Sequence, residues 1–161
     1  MNDNMNHNMD NNDGSYYEGN LFNGNRNGHG SLTNTDVTKP FQTYVGNWTN
    51  NEINGNGIMT YFCGNVYEGT FKNGMRDGYG KYKNIVDKFD YEGYWKDDNM
   101  NDFGTIKYYN GYEYTGCIQD GLHHGKGKMQ YSPDKIYDGD WYYGKRHGYG
   151  ILKYLEGYTY E

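Results

Sequence analysis

The sequence predicts an all-β chain, and three observations carry that expectation. Alanine, the strongest helix former, is absent from the 161 residues, while Tyr occurs 21 times and Gly 25 times, a balance that favours aromatic strands over helices. Apolar residues alternate with polar ones at the spacing of a half-wet strand. The alternating runs are joined in pairs by dipeptides such as Asn23-Gly24, Asn73-Gly74 and Asp120-Gly121, which favour the two-residue type I′ hairpin turn.

The first element is a polar run, MNDNMNHNMDNND. It has too little apolar surface to offset the entropy of ordering, so residues 1–15 are expected to form a disordered, Asn-rich tail. Residues 16–161 are expected to form one repeat domain. Its copies start at Tyr17, Tyr44, Tyr67, Tyr91, Tyr114 and Tyr137, with a truncated seventh start at Tyr160, the kind of fixed period that marks a repeat architecture.

With each starting Tyr as position zero, positions +2 and +13 are Gly in all six copies. Position +4 is Leu21, Trp48, Phe71, Trp95, Ile118 and Trp141, and position +11 is Gly except at Asp102. A two-residue turn at +6 and +7 pairs positions whose offsets sum to thirteen, which places each Tyr opposite the +13 glycine and Gly +2 opposite Gly +11. On that register one face collects Tyr, Trp and the apolar +15 residues, and the other collects charged and polar side chains. The glycines read as recesses for neighbouring rings, the aromatic cover of strand glycines used in sheet design. Asp102, at a recess position, predicts a local widening of the sheet or a bend. Gly-centred loops such as Cys63-Gly64-Asn65 and Asn110-Gly111-Tyr112 are expected to join the copies through bulged turns, and a longer loop, residues 31–43, follows the first copy.

The recurring form is clearest in YEGTFKNGMRDGYG, YEGYWKDDNMNDFG and YDGDWYYGKRHGYG. It resembles the MORN repeat, named for membrane occupation and recognition nexus. The resemblance implies an elongated, single-layer antiparallel meander of about six hairpins forming a twisted, grooved rod. It also implies a non-enzymatic scaffold or adaptor, placed in the cytoplasm at a membrane-associated cytoskeletal structure. Two alternatives accompany it: the regulatory or targeting part of a larger enzyme such as a phosphatidylinositol phosphate kinase, and a phosphoinositide or membrane-surface binding module.

An aromatic groove with no second layer over it marks a partner site, and a helix or an extended peptide fits along it. The expected anchors are Tyr44, Trp48, Tyr67, Phe71, Tyr91, Trp95, Tyr114, Tyr137 and Trp141. Arg26, Arg76, Lys145 and Arg146, beside the hairpin turns, are the residues expected to face lipid phosphates. Asp77, Asp97, Asp98 and Asp120 share that edge and favour a solvated rim of mixed charge instead. The unpaired edges of an open sheet suggest a homodimer through the terminal repeat.

A net charge of −6 gives nucleic acid nothing to bind. His123, His124, His147 and Cys117 form the only cluster inviting a metal, but adjacent strand positions point to opposite faces, so no metal, cofactor or catalytic set is expected. Cys63 and Cys117 stand three hairpins apart, beyond the reach of a disulfide.

Overall fold

The computed structural model describes residues 6–11, 13–154 and 159–160, and every helix or strand among them is a β-strand. They fall into two compact units, residues 1–82 and 83–161. In the first, β1 (Asn6–Asn11), β2 (Ser15–Phe22), β3 (Asn25–Asn34), β4 (Thr43–Thr49), β5 (Glu52–Thr60), β6 (Val66–Lys72) and β7 (Met75–Asn84) lie side by side in sequence order. β7 runs two residues past the end of that unit. In the second, β8 (Phe89–Lys96), β9 (Asn99–Tyr108), β10 (Glu113–Gln119), β11 (Leu122–Ser132), β12 (Lys135–Tyr142), β13 (Lys145–Tyr154) and β14 (Thr159–Tyr160) do the same. Each unit is a single-layer, open meander of hairpins, as the repeat predicts.

The turns form as their sequences dictate. Both central residues of all six two-residue turns have positive φ, from 44° at Tyr143 to 79° at Gly74 and Gly144, the signature of type I′ and a match to the right-handed twist of the flanking strands. Two of the five connections between copies are three-residue loops, Phe62-Cys63-Gly64 and Tyr109-Asn110-Gly111. They are closed by hydrogen bonds from Tyr61 N–H to Asn65 C=O and from Tyr108 N–H to Tyr112 C=O. Their glycines stand last rather than central, with φ of 87° and 90°.

The register beyond the turn differs from the sequence expectation, and position +11 is the reason. Next to the turn the expected pairing holds, as in Leu21 with Arg26 and Trp141 with Arg146. Between +4 and +2 the hairpins β2–β3, β4–β5, β8–β9, β10–β11 and β12–β13 each then carry a bulge, and past it the starting Tyr faces +15 and the +13 glycine faces Gly +2. Tyr44, for example, pairs with Met59 and Gly46 with Gly57. Every +11 residue has positive φ, from 58° at Gly148 to 101° at Gly78. The glycine at +11 is therefore the left-handed residue that a bulge requires, not a recess. Asp102 has φ of 63°, which aspartate tolerates better than most side chains. β8 and β9 keep the common register, with Gly93 opposite Gly104, so the expected widening is absent there.

Neighbouring copies continue these rows across the sheet. In the first unit Gly19, Gly30, Gly46, Gly57 and Gly69 follow one another opposite each other, beside the row Tyr17, Leu32, Tyr44, Met59 and Tyr67. The second unit repeats this from Gly93 to Gly150 and from Tyr91 to Leu152. Phe71 consequently faces Gly55, the +11 glycine of the preceding copy.

The Asn-rich run differs from the expected tail. Residues 6–11 are β1, paired along β2 from Asn6 opposite Asn20 to Asn11 opposite Ser15. The edge of β2 offers a row of backbone donors and acceptors that pairs with any extended chain. Asp13 anchors the reversal by accepting from the Ser15 N–H at 3.1 Å and its hydroxyl at 2.6 Å. Residues 1–5 and 12 of the expected tail lie outside the described residues. At the other end Tyr160 pairs with Leu152, the register that Tyr44, Tyr67, Tyr114 and Tyr137 take with the copy before them.

The glycine row exists because rings fill its space. A Cβ at Gly127 would lie 2.6 Å from Cε2 of Tyr114, inside any real contact distance. Gly127→Ala is expected to destabilise the protein by about 1–3 kcal/mol, the cost of overpacking. In a Tyr114→Ala background the same change is expected to cost much less, because the conflict is with that ring. Denaturant unfolding of the double-mutant cycle reads the coupling directly.

Candidate docking surface

The face that carries the rings is built around the starting tyrosines. The bulge takes the +3 residue out of the ladder pairing of its own hairpin. In all six copies the starting Tyr donates its hydroxyl to that residue's carbonyl, at 2.6 to 3.1 Å. To reach it the ring lies along the strand, flat over the two glycines. Burial pushes the Tyr44 phenol up to about 12, and Tyr114 is raised for the same first cause.

The +4 residue fills the space between copies. Trp48 meets the rings of Tyr17 and Tyr44 edge-on at 5.5 and 5.2 Å, Phe71 meets Tyr44 and Tyr67 at 5.3 and 5.0 Å, and Trp141 meets Tyr114 and Tyr137 at 5.5 and 5.3 Å. Such edge contacts contribute about 0.5–1.5 kcal/mol each beyond the area buried. Trp48 and Trp141 also donate their indole N–H to the carbonyls of Gly30 and Gly127, at 3.1 and 2.9 Å.

Position +9 supplies a lid that the sequence reading left out. Arg26 lies over Tyr17 at 5.8 Å and Trp48 at 4.6 Å, Arg76 over Tyr67 at 5.8 Å, and Arg146 over Tyr137 at 4.7 Å. His123 stacks on Tyr114 at 3.8 Å. Ile53 and Met100 hold the same position in the remaining copies. The recoverable signal was chemical: a column of Arg, Ile, Arg, Met, His and Arg shares only a long or flat apolar body.

All nine expected anchors thus sit inside this packing, with exposures from 0 to 6 %. What the ring face of each unit presents outward is its lid residues and its half-buried tyrosines, Tyr61 and Tyr82 in the first and Tyr108, Tyr131 and Tyr154 in the second. Of the four basic residues considered for lipid, Arg26, Arg76 and Arg146 lie on the ring face over aromatic rings. Lys145, opposite Tyr142, is exposed on the other face.

The histidines divide as strand alternation requires. His123 is on the ring face, 3.0 Å from the Tyr108 hydroxyl. His124 packs against Tyr142 and Tyr143 at 5.3 and 5.0 Å. Cys63 and Cys117 are free thiols. No cluster of potential metal ligands occurs among the described residues, and no helix among them is long and apolar enough to cross a membrane.

The outer face of the first unit holds a shallow trough of about 580 Å³. Its floor is the glycine row at Gly46, Gly57, Gly69 and Gly80, and its walls include Val45, Ile58, Tyr79 and His29. Val45, Ile58 and Tyr79 are exposed, so two faces, not one, offer apolar surface.

His123 gives the packing a pH limit. Burial holds its imidazole down at about 4, from 6.5, so between those values the unfolded chain binds a proton that the folded one refuses. The contribution is complete above pH 6.5 and is lost as pH falls towards 4. His123→Met, borrowing the residue of the fourth copy, is expected to flatten the fall in thermal midpoint across this window, measured by circular dichroism from pH 7.5 to 4.5.

Comparison with known families agrees with the geometry. Residues 17–36, 44–65, 67–84, 91–111, 114–134 and 137–157 each match the family model described as the MORN repeat. Among curated proteins none matches the chain.

Proposed function

Because the chain belongs to the MORN repeat family, whose repeats are protein- and membrane-interaction modules, we propose that it is a non-enzymatic scaffold or adaptor. It docks a helix or an extended peptide of a partner protein along the ring face. The observation that carries this reading is the single layer. The rings, glycines and lids fill their own hairpins, and the lid row with the half-buried tyrosines stays open to a second chain.

In this reading the nine buried rings act as the rigid support, and the partner rests on what they hold up. A rigid platform suits recognition because little side-chain freedom remains to be lost on binding. A membrane-associated cytoskeletal setting and self-association belong to the same proposal. So does the alternative of a targeting part within a larger enzyme.

The outer trough of the first unit supports a second reading, docking on the opposite face. Photo-crosslinking separates the two. A benzophenone amino acid at Tyr108 or Tyr131 is expected to capture a partner peptide from cell extract, and the same group at Tyr79 or Tyr149 is not. Capture from the second pair alone would move the docking site to the outer face. Capture from neither, with retention on phosphoinositide vesicles, would favour the membrane-surface alternative.

A further inference from the structure

The two faces of the second unit differ in charge. Its described acidic residues stand on the outer face (Asp90, Glu92, Glu113, Asp138 and Asp140), in turns and loops, or at the bulge (Asp102), and none occupies a regular ring-face position. The ring face nonetheless carries two cations, in a chain whose net charge is −6. Arg146, opposite Trp141, lies 5.0 Å over Tyr131 and donates Nε–H to its hydroxyl at 3.2 Å. Lys135, opposite Tyr154, places Nζ 5.5 Å from the ring of Tyr131 and 5.6 Å from that of Tyr154.

Neither cation has a carboxylate partner among the described residues. Two outer-face lysines do: Lys126 meets Asp140 at 2.7 Å and Lys107 meets Glu113 at 3.9 Å. The ring-face pair therefore flanks one half-buried tyrosine, its charge met only by aromatic faces and a hydroxyl.

From this we infer that the ring face of the second unit recognises an acidic segment of a partner protein. The segment combines apolar side chains with Asp or Glu, whose carboxylates reach Lys135 and Arg146 beside Tyr131. This rests on the docking reading above and adds the chemistry of the partner. Two carboxylates at i and i+4 of a helix, or at i and i+2 of a strand, share one side of it, so a single segment can present both to this face. A bilayer surface fits less well. Lys145 and Arg146 are consecutive residues of one strand and point to opposite faces, so the basic side chains do not gather on one plane.

Selection of random 16-residue peptides on phage against the full chain tests this. Peptides enriched in Asp or Glu beside apolar residues are expected. As synthetic peptides they should bind Lys135→Gln/Arg146→Gln at least about tenfold more weakly, a loss of the size seen when one member of a charged contact is removed. Lys145→Gln should leave binding unchanged and Lys135→Arg/Arg146→Lys should restore most of it, with unchanged thermal midpoints showing that every variant folds. Selected peptides with no acidic preference, or with affinity that ignores the double replacement, would overturn the charge assignment and leave docking standing. Selection that yields no binder, or binders that crosslink only to Tyr79 or Tyr149, would overturn docking on this face and the acidic inference with it. Binding of phosphatidylserine vesicles lost in the double variant, with acidic peptides inert, would assign the cations to a membrane instead.

Discussion

Everything on the ring face depends on one hydrogen bond, from the starting tyrosine's hydroxyl to the carbonyl at +3. The bulge makes that carbonyl available by removing its residue from the ladder of its own hairpin. The bulge in turn needs a left-handed residue at +11. Once the hydroxyl is fixed, the ring has to lie along the strand, and it can do so only where +2 and +13 have no side chains. A glycine, a bulge and a phenol are thus one device, and phenylalanine would lack the atom that holds the ring down.

That device explains how one layer stands without a conventional core. Tyr44, for example, is closed below by the backbone of Gly46 and Gly57 and at its sides by Trp48 and Phe71, and position +9 supplies the lid. An arginine can serve as a lid because its guanidinium stacks on a ring while its edge stays wet. Isoleucine and methionine do the same by burial alone, and His123 does it as a neutral ring beside Tyr108. The interior is therefore one side chain thick, and the surface a partner could touch begins at the lids.

Much of this was legible in the sequence. The turns were, since Asn-Gly and Asp-Gly pairs have a narrow conformational meaning, and so was the assignment of rings to one face, since a register error of two residues keeps every side chain on its own side. The register itself was not legible, because glycine has two uses that leave the same letter: absence of a side chain and freedom of φ. Asp102 separated them. A residue with a side chain can replace glycine where the need is positive φ, and it cannot where a ring occupies the space. β1 escaped notice for a different reason: pairing to an open edge is a property of the neighbouring backbone, and the composition of residues 6–11 does not record it.

A repeat that uses its invariant positions to hold a layer together has little left there to distinguish partners. Positions 0, +2 and +13 are the same in every copy because the hydroxyl, the bulge and the glycine floor admit no substitutes. Recognition must then reside where the copies disagree. At −2 the six copies carry Ser15, Gln42, Asn65, Phe89, Tyr112 and Lys135. Three of the six lids are cations, one is histidine and two are aliphatic. On the outer face, Val45 lines a trough where the corresponding position of the last copy holds Asp138. The fold is written in the agreement between copies, and the identity of whatever binds is written in these differences.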